Sequence, residues 1–173
     1  MRAFLFILAC FVVVIIGCAR QAQGKSEFDR LAMEFIRNNE GVRYRAYKDT
    51  LGYWTIGVGH LIGKRLTMDV VLTEEQVEEL FKDDYLKHLK EAKVIFPDFD
   101  RLNDAGKIAL VDMTYNIGGS KFNDRKWPNF FGHLKAGRFE EASVSARDSR
   151  WCRQVKTRCD KVTDLIKKAR YKN

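Results

Sequence analysis

Between Asn38 and His60 the chain reads NNEGVRYRAYKDTLGYWTIGVGH, and across the single residue Gly41 its hydrophobic period changes from helical to two-residue. Upstream, apolar residues fall at 28, 31, 32, 35 and 36, one stripe of a helix, and Gly41 stands where a helix C-cap favours glycine. Glu40 is therefore the last helical residue, four positions after Ile36 and on the same face. Downstream, Trp54, Ile56 and Val58 alternate with Tyr53, Thr55, Gly57 and Gly59, and DTLG at 49–52 has the Asp-first, Gly-fourth pattern of a type I turn. Residues 44–60 form a small hairpin or short sheet. A helix feeding directly into a hairpin points to an α+β chain.

Everything beyond the hairpin reads as helix. Thr73 and Gln76 make a capping box for a long helix through EEQVEELFKDDYLKHLKEAK, with Val77, Leu80 and Phe81 turned inward. Residues 104–117 are apolar on most sides and stop at Gly118 and Gly119, the pattern of a central buried helix. Pro128 opens another helix that ends at Gly137, and two short helices follow near 139–147 and 158–170. The layout is a small antiparallel sheet lobe joined by a long helix to a larger helical lobe. A cleft between the lobes is the natural place for a ligand.

Residues 1–18, MRAFLFILACFVVVIIGC, belong to a different class of segment. Their uncharged run is shorter than the roughly 20 residues of a spanning helix and suits an export signal. IIGC ending at Cys18 has the form of a lipobox, AQG at 22–24 that of a small-residue cleavage site, and a retained signal anchor is the third fate. Residues 1–24 are read as leader and 25–173 as one domain, working as a monomer that is periplasmic, extracellular or lipid-anchored at a membrane.

Two carboxylates in the opening stretch occupy contrasting settings. Glu40 lies at the negative end of a helix and on a partly apolar face, both of which disfavour charge. Asp49 lies at an exposed turn beside Lys48, which favours it. Paired carboxylates in unlike environments suit glycoside hydrolysis, where one group protonates the leaving oxygen and the other assists from the opposite face of the sugar. Thr55 shares a strand face with Gly57 and Gly59, whose missing side chains leave room, so its hydroxyl can hold a water against Asp49. Singly, each residue is ordinary for a helix end, a turn or a strand.

Taken together, Glu40, Gly41, Tyr47, Asp49, Gly52, Thr55, Ile56, Gly57, Gly59 and His60 resemble the signature of the T4-type phage lysozymes, the glycoside hydrolase family 24 endolysins, E-G-x-x-x-x-x-Y-x-D-x-x-G-x-x-T-I-G-x-G-H. The resemblance covers about residues 28–171; between His60 and Thr73 the chain is shorter than the T4-type pattern. It implies a lysozyme-like fold, Glu40 as general acid, Asp49 as general base or stabiliser, and Thr55 as the residue that positions water. The implied reaction is inverting hydrolysis of the β-1,4 bond between N-acetylmuramic acid and N-acetylglucosamine in bacterial peptidoglycan. A lytic transglycosylase acting on the same bond, or a non-catalytic cell-wall-binding lipoprotein, is the alternative. Phage lysis, wall remodelling and antibacterial secretion all use such a domain.

The resemblance also suggests a structural pair between His60 and Asp84. Tyr47, Asn116 and Arg150 are the candidate substrate contacts, Asn116 because an amide both donates to and accepts from a sugar acetamido group. Cys152 and Cys159 form a disulfide if the backbone brings their Cα atoms within about 4.4–6.8 Å in an oxidising compartment. Three scattered histidines and no cysteine pair at zinc spacing argue against a metal site, and no cofactor is expected. The formal net charge of +8 favours anionic partners. The basic residues are dispersed and no nucleic-acid motif accompanies them, so cell-wall polymer is the expected partner.

Overall fold

A computed structural model describes residues 26–49, 51–65 and 69–172. The leader, Cys18 and the cleavage candidate at 22–24 lie outside the described residues. Ser26 opens α1 (Glu27–Glu40) with a capping box: its Oγ accepts from the Asp29 N–H at 3.1 Å, and its own N–H donates to Asp29 Oδ2 at 3.3 Å. Ala32, Met33 and Ile36 bury the inner face, and Gly41 at φ 72° releases the chain from the helix.

The chain then builds three antiparallel strands in the order β1 (Arg43–Lys48), β2 (Trp54–Gly57) and β3 (His60–Gly63). The two-residue pattern ended at His60, so β3 lies beyond what the sequence reading drew. Gly57 at φ 63° and Gly59 at φ 76° reverse the chain tightly enough for Ile56 to pair with His60. Thr55 sits mid-sheet, paired with Tyr47 on β1 and Leu61 on β3. The segment that is short relative to the T4-type pattern returns along the free edge of β1. Ala46 N–H donates to Val70 O at 2.9 Å and Leu72 N–H to Tyr44 O at 2.8 Å, which covers part of that edge.

The long connector is α2 (Glu74–Ile95), 22 residues and about 33 Å. Thr73 and Gln76 form its capping box, and Val77, Phe81, Tyr85 and Ala92 repeat along the buried face. Tyr85 O–H donates to Asp29 Oδ1 at 2.6 Å and ties α2 to the start of α1; burial, with the Asp29 hydrogen bond, pushes the phenol far above its ordinary range. A short 3₁₀ turn at Pro97–Arg101 leads to α3 (Asp104–Ile117), whose residues 108–114 are all buried. This helix packs against α1, α2 and, later in the chain, α7. It is the axis of the helical lobe.

Four helices close that lobe: α4 (Pro128–Lys135), α5 (Phe139–Arg147), α6 (Arg150–Val155) and α7 (Thr157–Lys167). Phe122, Trp127, Phe130 and Phe131 meet at tilted and edge-on angles in its core. The sequence reading placed a helix over 158–170, which the structure sets at Thr157–Lys167, and drew none over α6; the two helices part at Lys156 with φ 47°, the positive-φ non-glycine among the described residues. A disulfide between Cys152 and Cys159, Cα atoms 5.0 Å apart, spans that break. In the chain-entropy account a loop this short contributes about 2 to 3 kcal/mol. Replacing both cysteines by serine is expected to lower stability by about 2 kcal/mol in urea titrations, with reductant having the same effect on wild type; coincident midpoints would contradict this.

Candidate active site

Glu40 projects from the end of α1 into a cluster supplied by three helices and the sheet. Its Oε1 accepts from Arg158 Nη1 at 2.6 Å and from Asn116 Nδ2 at 3.4 Å. Asn116 is fixed in turn, because its Oδ1 accepts from the Trp151 indole N–H at 2.8 Å. Oε2 has neither partner and lies over Gly59: a Cβ built there would stand 3.0 Å from it. The side chain keeps 19% of its exposure. One oxygen is held and the other, over Gly59, has no hydrogen-bond partner among the described residues.

This corrects the environment assigned to Glu40 from sequence. No cation was placed beside it there, yet Arg158 makes the shortest contact it has. Arg158 is 8% exposed and donates through Nε to Asp112 Oδ2 at 3.0 Å and through Nη2 to Asp112 Oδ1 at 2.9 Å. Burial pushes the guanidinium down, and Asp112 and Glu40 more than reverse that. Burial also drives the wholly buried Asp112 carboxyl up, against the pull of Arg158. The geometry favours the ionised form: Oδ1 faces Arg158 Nη2 and Asn39 Nδ2, Oδ2 faces Nε, and a proton on either oxygen would meet a donor.

The glycines of the β2 to β3 turn also serve a different purpose from the one read in the sequence. A Cβ at Gly57 would reach Leu80 and Val77 of α2 at 3.7 Å, so Gly57 faces the helix and opens no room for a ligand. Gly59 makes way for Glu40. Tyr115 O–H donates to Val58 O at 2.6 Å and pins the turn between them. Tyr115 thus ties α3 to the sheet rather than facing a ligand. His60 Nδ1 lies 2.7 Å from Asp84 Oδ2, tying β3 to α2.

Asp49 caps the hairpin that carries it. Its N–H donates to Tyr53 O at 2.8 Å, and its Oδ1 accepts from the Leu51 and Tyr53 N–H groups, both at 2.8 Å. Among the described residues nothing hydrogen-bonds to Oδ2. Burial raises the Tyr47 phenol, the charge of Glu40 adds to that, Arg43 opposes it and Asp49 adds a smaller push. Thr55, paired directly with Tyr47, is 6% exposed and its Oγ1 reaches Tyr53 O at 3.4 Å, a weak contact that leaves the hydroxyl free to turn. Each carboxylate thus has one oxygen held by hydrogen bonds and one without a partner among the described residues, and Thr55 adds a hydroxyl on the neighbouring strand.

Of the remaining sequence candidates, Arg150 joins neither carboxylate. It lines a groove of about 610 Å³ with Lys121, Lys126, Trp127 and Trp151, which meets the Glu40 cluster only through the Trp151 to Asn116 hydrogen bond.

The family model described as Phage lysozyme matches residues 37–170, a span that holds both Glu40 and Arg158. This chain belongs to that family. The lysozyme domain is 31% identical over 159 residues to the pre-baseplate central spike protein Gp5 of Enterobacteria phage T4, covering 77% of this chain and 27% of that protein. It is 24% identical to the probable T4-type lysozyme 1 of Dictyostelium discoideum, over 77% of this chain and 91% of that one. It is 34% identical to the endolysin of Salmonella phage P22 over 50% of this chain and 60% of the endolysin. The lysozyme fold, a small antiparallel sheet with a helical lobe, is the one described above.

Gly59 is a sharp test of this lysozyme site. Gly59→Ala adds a Cβ at 3.0 Å from Glu40 Oε2 and at a φ that alanine disfavours by about 1 to 2 kcal/mol. Stability is expected to fall by about that much and activity by at least about tenfold, because the added methyl displaces the Glu40 carboxyl group. Wild-type turnover in Gly59→Ala would show that Oε2 has no fixed working position.

Proposed function

We propose that the chain is an exported muramidase, with residues 25–173 as its catalytic domain, hydrolysing the β-1,4 bond between N-acetylmuramic acid and N-acetylglucosamine in peptidoglycan. The observation that carries the reading is the division of labour at Glu40: Oε1 is held by Arg158 and Asn116 while Oε2 is unencumbered. Oε2 donates its proton to the glycosidic oxygen. Water, oriented by Thr55, attacks the anomeric carbon and passes a proton to Asp49 Oδ2. Because water bonds directly to the anomeric carbon on the face opposite the departing oxygen, with Asp49 as its base and no glycosyl-enzyme bond formed, the anomeric configuration inverts. Tyr47 and Asn116 contact the sugar beside Glu40, and Arg150 contacts it further along.

Family membership supports this reading, as do the names of the relatives, an endolysin and T4-type lysozymes. The Cys152 to Cys159 disulfide supports export, since such bonds persist in oxidising compartments. The chain acts as a monomer on the wall polymer, without nucleic acid, and meets a membrane only through its leader or a lipid on Cys18. The mass of the mature N-terminus distinguishes an acylated Cys18 from a start near Lys25 and from an intact leader.

Product chemistry tests the reaction. Digested peptidoglycan is expected to carry reducing N-acetylmuramic ends released first as the α anomer. A 1,6-anhydromuramic product would identify a lytic transglycosylase and overturn hydrolysis, and an initial β anomer would overturn inversion. Binding to peptidoglycan with no new ends would identify a wall-binding protein.

A further inference from the structure

Asp112 is the charged residue within the buried run 108–114 of α3, and it is 0% exposed. Such a residue carries a strong demand for partners, and Arg158 meets it with two of its donor nitrogens. The third donor nitrogen, Nη1, is left aimed at Glu40 Oε1. Asn39 links the same carboxylate to α1: its Nδ2 donates to Asp112 Oδ1 at 3.3 Å, while its Oδ1 accepts from Lys161 Nζ, also at 3.3 Å.

An arginine in contact with a proton-donating carboxyl group is awkward on its own, because an uncompensated cation favours the carboxylate. The planar fork makes a different outcome available. With one full negative charge bound face to face, the guanidinium presents Glu40 with a directed N–H and little net charge. We propose that Asp112 is a positioning residue for Glu40, acting through Arg158: it neutralises the guanidinium and aims Nη1 at Oε1, so that Oε2 retains the proton it donates. The inference rests on the reading of Glu40 as general acid.

Other charged and titratable groups surround the cluster: Tyr47 on β1 and Tyr115 on α3 feel the charge of Glu40, Arg43 and Asp49 act on Tyr47, Arg37 and Asp84 act on Tyr115, and Lys161 of α7 reaches Asn39. They are present in every variant below, so changes between variants report on Asp112 and Arg158.

The test is the alkaline limb of the kcat/KM profile on soluble peptidoglycan fragments. Asp112→Asn leaves a net positive charge beside Glu40, and the limb is expected to move to lower pH by about 1 unit or more with KM little changed. Arg158→Gln leaves Asp112 unpaired as a buried anion, and the limb is expected to move the opposite way. The double variant restores the charge balance, and its limb is expected near that of wild type. Generic damage to the fold lowers the whole profile without moving the limbs in opposite directions. If one single variant fails to fold, the other still decides: a limb at the wild-type pH in a folded single variant overturns the proposal. Full activity in Glu40→Gln would instead overturn the reading on which it rests, so the two failures are distinguishable.

Discussion

Clearing of a peptidoglycan suspension by Glu40→Gln is expected to fall by about 10² to 10⁴-fold, with the circular dichroism spectrum and melting transition close to those of wild type. The substitution is nearly isosteric, and the amide oxygen can still accept from Arg158 Nη1 and Asn116 Nδ2, which hold Oε1 in place. Arg158 stays paired with Asp112, so no guanidinium is left without a counter-charge in the interior. What disappears is the carboxyl oxygen over Gly59, replaced by an amide nitrogen that cannot serve as the acid. Wild-type clearing by a folded Glu40→Gln enzyme would remove Glu40 from the chemistry and, with it, the hydrolytic reading.

Asp49→Asn separates two duties that one side chain performs. Oδ1 accepts from the N–H groups of Leu51 and Tyr53 and fastens the hairpin; an asparagine oxygen does the same, so stability is expected to hold within about 1 kcal/mol. The second oxygen becomes an NH₂ group that can neither accept a proton from water nor carry negative charge. Activity is expected to fall by about 10² to 10⁴-fold. Asp49→Ala removes both duties, and its additional loss in melting temperature measures the turn. An active, stable Asp49→Asn enzyme would reduce Asp49 to a hairpin cap and leave Glu40 acting without a base.

Much of the fold was readable in the sequence because the relevant forces are local. The stripe from Phe28 to Ile36, the capping box at Thr73 and the helix at 104–117, apolar on most sides, each state their element without reference to distant residues. Strand β3 was not readable: His60 to Gly63 is too short to show a period and exists because two positive-φ glycines fold it back on β2. Helix α6 was likewise hidden: six residues are too few to show a helical stripe, and no proline or glycine parts it from α7, only a backbone turn at Lys156 spanned by the disulfide.

The candidate site divides in the same way. Glu40, Asp49 and Thr55 lie within one short stretch, where helix end, turn and strand follow from residue type and spacing. Arg158 is 118 positions from Glu40, and nothing in its own neighbourhood singles it out. The one available signal was Asp112, a carboxylate inside an apolar helix, which announced that some cation must come to meet it. The identity of that cation depended on how α7 packs against α3.

By itself, then, the sequence determined the order of elements and the residue types offered for chemistry, because backbone preferences and hydrophobic periods act over a few residues. Only the tertiary structure decided which oxygen of each carboxylate is free, that Gly59 yields its space to Glu40, and that the guanidinium beside Glu40 arrives with its charge already matched. Those are properties of contacts between residues far apart in the chain, and they come into being only when the helices pack and exclude water.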